Sequence, residues 1–178
     1  MSNIGLFIGR FQPFHNGHLH AVKFILNEVD LAIICVGSAQ YSHTFKNPFT
    51  AGERIEMIKA ALAEAQITAD KYMIIPIPDI HDNRLWVDHV VTLVPSFNIV
   101  YTNDPLSTVL FKEKNYLVKP IPFLERDRYE GTWIRKLMVS NGEWNNLVPK
   151  AVVNFIHKIK GVERLKLIHK TDRVRETI

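Results

Sequence analysis

A loop near the amino terminus combines two histidines with two glycines, in the order Gly9-Arg10-Phe11-Gln12-Pro13-Phe14-His15-Asn16-Gly17-His18. The apolar run Ile4–Gly9 precedes the loop, and a segment with helical spacing begins near His18. A helix start has free N–H groups and the positive end of the helix dipole, so it favours anions. Glycines let the backbone approach such an anion closely. The spacing therefore predicts a phosphate site at which both imidazoles face one ligand.

Other nucleotide-binding loops do not fit this segment. No G-x-x-x-x-G-K-[ST] occurs in the sequence, and no G-x-G-x-x-G opens the first predicted helix, which argues against a P-loop and against a dinucleotide cofactor. The alternative is that His15 and His18 cap the helix or bind a structural metal. No cysteine or acidic cluster accompanies them in the sequence, so no metal ligand set is predicted.

The elements that position the loop alternate between strand and helix. Short apolar runs bounded by turn residues predict strands buried on both faces, at 4–9, 31–37, 72–78, 99–101 and 116–122. Helical spacing separates them, as in Leu19, Val22, Leu26 and Val29. The alternation predicts an α/β fold, a Rossmann-like doubly wound parallel sheet of about five strands with ligands at the carboxyl ends of the strands.

The pattern beyond Gly131 is wholly helical, over 133–139, 149–159 and 162–168, which predicts a small C-terminal helical extension without its own core. The 178 residues fit a single domain. We expect an α/β core at 1–130, C-terminal helices at 131–170 and a flexible tail at 171–178.

Composition limits where the protein works and what it binds. No apolar stretch approaches the ~20 residues of a membrane span, and no positive segment precedes the first apolar run as in a secretory signal. The single cysteine, Cys35, lies in an apolar run and is expected to be buried. A cytoplasmic protein with no membrane partner is predicted. The net charge of +4 lies largely beyond Lys158, where a solvated helix face is favoured over nucleic-acid binding.

Three stretches resemble the H-x-G-H nucleotidyltransferases, and within them the archaeal-type nicotinamide-nucleotide adenylyltransferases. They are the loop at 9–18, Gly37-Ser38-Ala39-Gln40, and Asn47-Pro48-Phe49-Thr50-Ala51-Gly52-Glu53-Arg54. Each follows a predicted strand, and the resemblance spans almost the whole chain. It implies adenylyl transfer from ATP to nicotinamide mononucleotide (NMN), giving NAD and pyrophosphate.

The resemblance also implies which residues bind ATP. His15 and His18 would hold the phosphates and stabilise charge on the α-phosphate, and Arg10 would bind the triphosphate. A second signature of the family is matched by Gly131-Thr132-Trp133-Ile134-Arg135, with Glu130 and Trp133 as departures. There Thr132 is a predicted N-cap whose hydroxyl converges with Arg135 on one anion. Further ATP contacts are expected at Gly9, Phe11, Gly17, Gly131 and Asn103, and further phosphate contacts, or plain surface charges, at Arg126 and Arg128.

The acceptor site follows from the same resemblance. Asn83 would bind the carboxamide of NMN, and Trp86 would stack on the pyridinium. The alternative for Trp86 is a core position in a helix that begins near Arg84. Lys46 would contact the acceptor phosphate, without the bidentate geometry of an arginine. The remaining acceptor residues are expected at Ser38, Gln40, Asp79 and Ile80.

The predicted chemistry needs no general base, because the phosphate monoester of NMN is mostly dianionic at neutral pH. Mg²⁺ is expected to arrive with ATP. The resemblance implies a homo-oligomer, often a hexamer. Two alternatives stay open: transfer to another acceptor, such as pantetheine phosphate or flavin mononucleotide, and a noncatalytic protein that binds nucleotides or nucleic acid.

Overall fold

The computed structural model describes residues 3–122, 124 and 129–175, and a five-stranded sheet lies at its centre. The strands are β1 (Ile4–Gly9), β2 (Leu31–Val36), β3 (Tyr72–Pro76), β4 (Ile99–Tyr101) and β5 (Leu117–Lys119). They are all parallel, in the order β3-β2-β1-β4-β5. The predicted parallel α/β fold is confirmed.

Helices connect the strands and continue after the last one. The connecting helices are α1 (Asn16–Leu26), α2 (Ala51–Glu64), α3 (Asn83–Leu93) and α4 (Pro105–Glu113). After β5 come α5 (Gly131–Val139), α6 (Lys150–Lys158) and α7 (Gly161–Arg175). Short 3₁₀ turns occur at Ala69–Lys71 and Asn145–Leu147. No helix in the described ranges is long and apolar enough to cross a membrane.

Both faces of the sheet are buried, which explains why the strands are continuous apolar runs. Neighbouring side chains of a strand point to opposite faces. On one face Leu6 and Ile33 pack with Val90 of α3 and Phe111 of α4. On the other face Ile34 belongs to a larger cluster that includes residues of α1, α2, α5, α6 and α7.

The C-terminal helices extend this larger cluster and do not form a separate one. Ile134, Val152 and Leu165 are buried in it together with Met57 of α2. An ion pair of 2.7 Å between Arg164 of α7 and Glu53 of α2 closes the contact at the surface. Helix α7 also continues to Arg175, past position 170, at which we expected the helical part to end. Helices α5, α6 and α7 therefore share one core with the sheet and α2.

Three helices begin at other residues than the pattern suggested. Helix α1 begins at Asn16 because His15 caps it, and α3 begins at Asn83 because Asp82 accepts a hydrogen bond from the N–H of Arg84. The prediction that Thr132 is an N-cap is wrong. Helix α5 begins at Gly131, so the cap position is Glu130, two residues before Thr132, and it makes no side-chain cap bond.

The strand order also fixes where ligands can bind. Strand β1 lies between β2 and β4. From β1 the chain adds β2 and β3 on one side of the sheet, and it then crosses to the other side of β1 to add β4 and β5. In open parallel sheets a crevice forms at such a reversal, at the carboxyl ends of the strands. The loops after β1, β2, β3 and β4 all lie at this edge.

Candidate active site

Helix α1 begins with two histidines that cap each other. Nδ1 of His15 accepts a hydrogen bond from the backbone N–H of His18 (3.3 Å), and Nδ1 of His18 accepts one from the backbone N–H of His15 (3.2 Å). The rings are stacked, with their centroids 3.5 Å apart. The capping alternative is therefore correct, and the cap itself places both rings side by side at the carboxyl edge of the sheet.

The two hydrogen bonds fix which ring nitrogen carries the proton. A ring nitrogen that accepts a hydrogen bond carries none, so each neutral imidazole is protonated on Nε2. Burial lowers the pKa of His15 to about 3, while burial and the nearby His15 lower the pKa of His18 well below 6.5. Both rings are thus neutral at neutral pH. Neither Nε2–H bonds to another residue in the described part of the chain, so both can donate to a ligand.

Neutral burial of His15 makes the stability of the protein pH-dependent. Its pKa falls from 6.5 to about 3 on folding, so below pH 6.5 the unfolded chain binds a proton that the folded chain does not. Stability is therefore full above 6.5 and declines toward the folded pKa. We expect His15 to reduce the free energy of unfolding by about 2 kcal/mol between about pH 7.5 and pH 5.

Urea unfolding of the wild type and of His15→Asn at several pH values measures this loss. Asparagine keeps an N-cap acceptor but does not titrate, so the variant separates the cap from the charge. The variant should retain about 2 kcal/mol more of its stability over the interval. Parallel pH profiles for the two proteins would contradict the assignment of a neutral, buried His15.

The histidines line two adjoining cavities. The larger has a volume of about 340 Å³ and extends toward the loop after β4. The smaller has a volume of about 180 Å³ and extends toward the start of α5. His15, His18, Glu130 and Gly131 line both. A ligand with one anionic and one uncharged part could therefore occupy both and pass across the Nε2–H donors.

Two arginines line the smaller cavity. Arg135 of α5 is buried and donates to the carbonyl of Gln12 (2.7 Å) and to Oγ1 of Thr132 (3.3 Å), whereas its buried Nε has no hydrogen-bond partner. Burial and the charge of Arg10 lower the pKa of Arg135 to about 10, so the side chain stays charged. Arg10 is exposed at the cavity rim. An unsatisfied buried donor beside a second cation favours an anion in this cavity.

The start of α5 adds backbone donors to the same cavity. Because Glu130 provides no side-chain cap, no described group accepts the N–H groups of Gly131 and Thr132. Both residues line the small cavity. A side chain on Gly131 would come within 3.2 Å of Nη1 of Arg135 and of the Gln12 carbonyl, at their hydrogen bond. The helix start and Arg135 thus converge, although Thr132 contributes as a first-turn residue and not as a cap.

Two other glycines have packing roles that the sequence did not indicate. A Cβ on Gly9 would lie 2.7 Å from the ring of Phe11, which is buried and has a φ of 52°. That ring packs edge-on against His18, with centroids 4.8 Å apart. A Cβ on Gly17 would lie 3.1 Å from Nδ1 of His15 and 3.0 Å from Tyr129. Both glycines therefore make room for aromatic rings that support the histidine pair.

The larger cavity contains several residues that sequence reasoning missed. Its wall includes Tyr129, whose ring is nearly parallel to that of His15 at 6.5 Å, and residues of the loop after β5. The sequence pattern predicts a strand over 116–122, whereas β5 ends at Lys119, so 120–122 belong to the loop that follows it. The rule that ligands bind beyond strand ends would have indicated the loop. The other members of the wall that were not predicted as site residues are Phe7, Ile8, Ala21, Thr102, Asp104, Ile121, Pro122, Leu124 and Glu130.

Asn103 lines the larger cavity, but its amide is bonded to the protein. Nδ2 donates to the carbonyl of Ile121 (2.8 Å), and Oδ1 accepts from the N–H of Ile121 (3.0 Å). Asn103 thus fastens the loop after β5 to the loop after β4.

A third cavity, of about 280 Å³, brings together the residues expected to bind the acceptor. Asp79, Ile80, Asn83 and Trp86 all line it. The indole of Trp86 is half-buried and packs edge-on against Phe111, with centroids 5.7 Å apart. The ring therefore contributes to the core and also lines the cavity, so its position is compatible with both interpretations of Trp86. Tyr41, His81, Leu106, Ser107 and Leu110 complete the wall and were not predicted.

Other predicted acceptor residues lie behind this cavity or away from it. Ser38 donates its hydroxyl to Asp79 (2.7 Å), and the amide of Gln40 forms two bonds of 2.9 Å with the backbone of Asp79. These two residues hold Asp79 in place. Lys46 is exposed and is not part of the three cavity walls. Arg126 and Arg128 lie outside the described residues.

Comparisons with known proteins show which family this chain belongs to. The model of the cytidylyltransferase-like family matches residues 6–156. A nicotinamide-nucleotide adenylyltransferase of Thermococcus kodakarensis is 50% identical over 164 residues, which cover 92% of this chain and 87% of that protein. One of Thermoplasma acidophilum is 51% identical over 165 residues, which cover 93% and 91%.

A solved structure shares the fold at lower identity. It is a bifunctional NMN adenylyltransferase/ADP ribose pyrophosphatase from Francisella tularensis, complexed with AMP and a manganese ion. The TM-score is 0.80 at 24% identity, over 99% of this chain and 54% of that one, so this chain spans about half its length. On the family match and the two relatives at about 50% identity, the chain belongs to the cytidylyltransferase-like family and, within it, to the nicotinamide-nucleotide adenylyltransferases.

Proposed function

We propose that this protein transfers the adenylyl group of ATP to the 5′-phosphate of NMN, forming NAD and pyrophosphate. The observation that carries the proposal is the stacked pair His15 and His18, which directs two neutral N–H donors toward the junction of two cavities. One cavity has the apolar lining that an adenosine needs, and the other has the cations that a pyrophosphate needs. The choice of NMN as the acceptor is supported by the relatives, which are named nicotinamide-nucleotide adenylyltransferase.

Residues of the small cavity bind the part of ATP that leaves. Arg10, Arg135 and the first N–H groups of α5 would hold the β- and γ-phosphates. The α-phosphate then lies at the histidines, between adenosine in the larger cavity and pyrophosphate in the smaller one. An oxygen of the NMN phosphate attacks the α-phosphorus, the bond from that phosphorus to the bridging oxygen breaks, and pyrophosphate departs with the electron pair.

The histidines act as donors and not as bases in this scheme. Charge that builds on the α-phosphoryl oxygens is stabilised by Nε2–H of His15 and His18, which the cap holds in place before the substrate arrives. The acceptor phosphate is already dianionic, so no proton has to be removed. Most of the rate enhancement would come from in-line positioning and from electrostatic stabilisation.

The residues of this site fit an ATP that carries its own divalent cation. Within the described ranges no three His, Cys, Asp or Glu side chains are grouped to hold a metal ion, and the small cavity offers cations and N–H donors. Bound with ATP, Mg²⁺ neutralises phosphate charge. We infer Mg²⁺ as the cation, although the Francisella protein was complexed with manganese. We likewise infer one domain, and the family resemblance suggests a homo-oligomer.

The third cavity fits the nicotinamide end of the acceptor. Asn83, at the first turn of α3, presents an amide that can pair with a carboxamide, and Trp86 lies one helical turn further on. The ring of NMN is cationic, so an indole face attracts it. Asp79, held by Ser38 and Gln40, places a negative charge at the same wall. Both features favour a pyridinium over a neutral ring.

Truncation of Trp86 should weaken the acceptor site alone. For Trp86→Ala we expect the KM for NMN to rise by about fivefold, because a cation–π contact contributes about 1 kcal/mol, and the KM for ATP to stay within about twofold. Steady-state assays with each substrate varied in turn measure this. Trp86→Phe, which keeps an aromatic face, is the matched control and should recover most of the affinity. An equal rise for both substrates would indicate structural damage instead.

The overall proposal is tested by pyrophosphate release from ATP and Mg²⁺ with NMN, pantetheine phosphate or flavin mononucleotide as acceptor. We expect release with NMN and NAD as the product. Release only with another acceptor would keep the histidine site but overturn the assignment of Asn83 and Trp86. No release with any acceptor would overturn the proposed enzyme activity.

A further inference from the structure

Arg54 of α2 is fully buried, yet no carboxylate among the described residues is bonded to it. Its Nη1 donates to the carbonyls of Arg10 (2.8 Å) and Gly37 (2.7 Å), and its Nη2 donates to the carbonyl of Ser38 (3.1 Å). Its Nε donates to Thr50 in the preceding turn (3.2 Å). Burial lowers the pKa of Arg54 to about 10, partly offset by the charge of Asp79. Within the part of the chain that the structure describes, the guanidinium is therefore a buried cation whose hydrogen bonds all go to backbone carbonyls.

The carbonyls bonded to Nη1 and Nη2 belong to two loops that the reaction has to bring together. We call the loop after β1 the ATP loop and the loop after β2 the acceptor loop. Arg10 lies in the loop after β1, five residues before His15 and at the rim of the phosphate cavity. Gly37 and Ser38 form the loop after β2, and Ser38 donates to Asp79 at the wall of the acceptor cavity. The guanidinium of Arg54 thus bridges the ATP loop and the acceptor loop, whose Ser38 holds Asp79 in place.

A role in packing alone does not account for this arrangement. Burying an unpaired cation is costly, and an apolar side chain of similar volume would fill the space with a smaller penalty. Helix α2 is also anchored without Arg54, by a capping box of Thr50 and Glu53 and by the ion pair of Glu53 with Arg164. What an apolar residue could not supply is a fixed spacing between three carbonyls on two loops.

We infer that Arg54 is a positioning residue that sets the distance between the ATP loop and the acceptor loop. The inference rests on the proposed adenylyl transfer. Each loop can still bind its own substrate when this bridge is weakened, but the acceptor oxygen and the α-phosphorus no longer meet in line. A misplacement of about 1 Å can reduce a rate about a hundredfold. Arg54 therefore acts on turnover and not on the affinity for either substrate.

Three variants test this role. Arg54→Met removes all bridging donors, Arg54→Lys keeps the charge and some of the donors, and Glu53→Gln is the matched control that weakens the anchor of α2 without touching either loop. We expect kcat to fall about a hundredfold in Arg54→Met and about tenfold in Arg54→Lys, with both KM values within about threefold of wild type. Glu53→Gln should keep the wild-type kcat.

Calorimetric titration with the α,β-methylene analogue of ATP separates positioning from unfolding. For Arg54→Lys we expect the analogue to bind with a stoichiometry of one per chain and with the wild-type Kd. The loss of turnover would then not be caused by unfolding of part of the sample. If Arg54→Met does not fold, Arg54→Lys alone decides. A binding stoichiometry that falls in proportion to kcat, or an unchanged kcat in Arg54→Lys, overturns the inference. A wild-type protein that forms no NAD from NMN overturns the proposed function instead, before any variant is made.

Discussion

Replacement of His18 by alanine should reduce kcat by about 10²–10³-fold, the cost of losing one donor to the transition state. The donor in question is Nε2–H, which remains available to a ligand because Nδ1 of His18 accepts the hydrogen bond from the backbone N–H of His15. ATP binding should survive, because Arg10, Arg135 and the start of α5 hold the other phosphates. Turnover at saturating substrates and calorimetric titration with an ATP analogue measure the two quantities.

His18 also has a structural role, which a second variant separates from the chemistry. Alanine removes the acceptor of one capping bond, which costs about 1 kcal/mol of stability. Glutamine at the third position of a helix can accept the same bond, as in a capping box. His18→Gln should therefore unfold in urea like the wild type while its kcat stays low. Wild-type turnover in His18→Ala would refute the assigned role.

Replacement of Arg135 by lysine should raise the KM for ATP about 10- to 100-fold with little change in the KM for NMN. Lysine keeps the charge but loses the planar fork, of which Nη1 and Nη2 are bonded to Gln12 and Thr132 while Nε has no partner. A charge-assisted hydrogen bond contributes about 1.5–3 kcal/mol, which corresponds to this range. Initial rates at varied ATP concentration measure the effect.

Lys136→Ala provides the control for this prediction. Lys136 follows Arg135 on α5 but is exposed, so its loss removes a neighbouring charge without touching the small cavity. We expect an increase of the KM for ATP below about twofold, since exposed charges are strongly screened. A similar increase in both variants would mean that ATP responds to the general positive field of α5 and not to the geometry of Arg135.

The sheet was predictable because its strands leave a local signal. The runs at 4–9 and 99–101 coincide with β1 and β4, since strands buried on both faces are apolar at every position. The starts of α1 and α5 were less predictable. Histidine is not one of the usual N-cap residues, so the cap of α1 was not expected. Thr132 has a suitable side chain for an N-cap but lies two positions after the cap of α5.

The site residues divide along a similar line. Some residues could be identified from the spacing of a sequence motif, and His15, His18 and Trp86 of this group line the cavities. Ser38, Gln40 and Asn103 match the family pattern, but their side chains form hydrogen bonds with the protein backbone or with the Asp79 side chain. Their bonding partners lie up to 41 residues away, so only the folded chain shows them. The same holds for Tyr129 beside His15.

The bond between Arg135 and the carbonyl of Gln12 joins residues 123 positions apart, and the bonds between Arg164 and Glu53 span 111 positions. The phosphate loop is therefore synthesised well before its partner Arg135 on α5, and Glu53 of α2 well before its partner Arg164 on α7. Contacts of such sequence separation form late, after long loops have closed. A nascent chain that already contains every strand but not α5 still lacks a working phosphate site, so we expect it to engage ATP only after α5 has been synthesised.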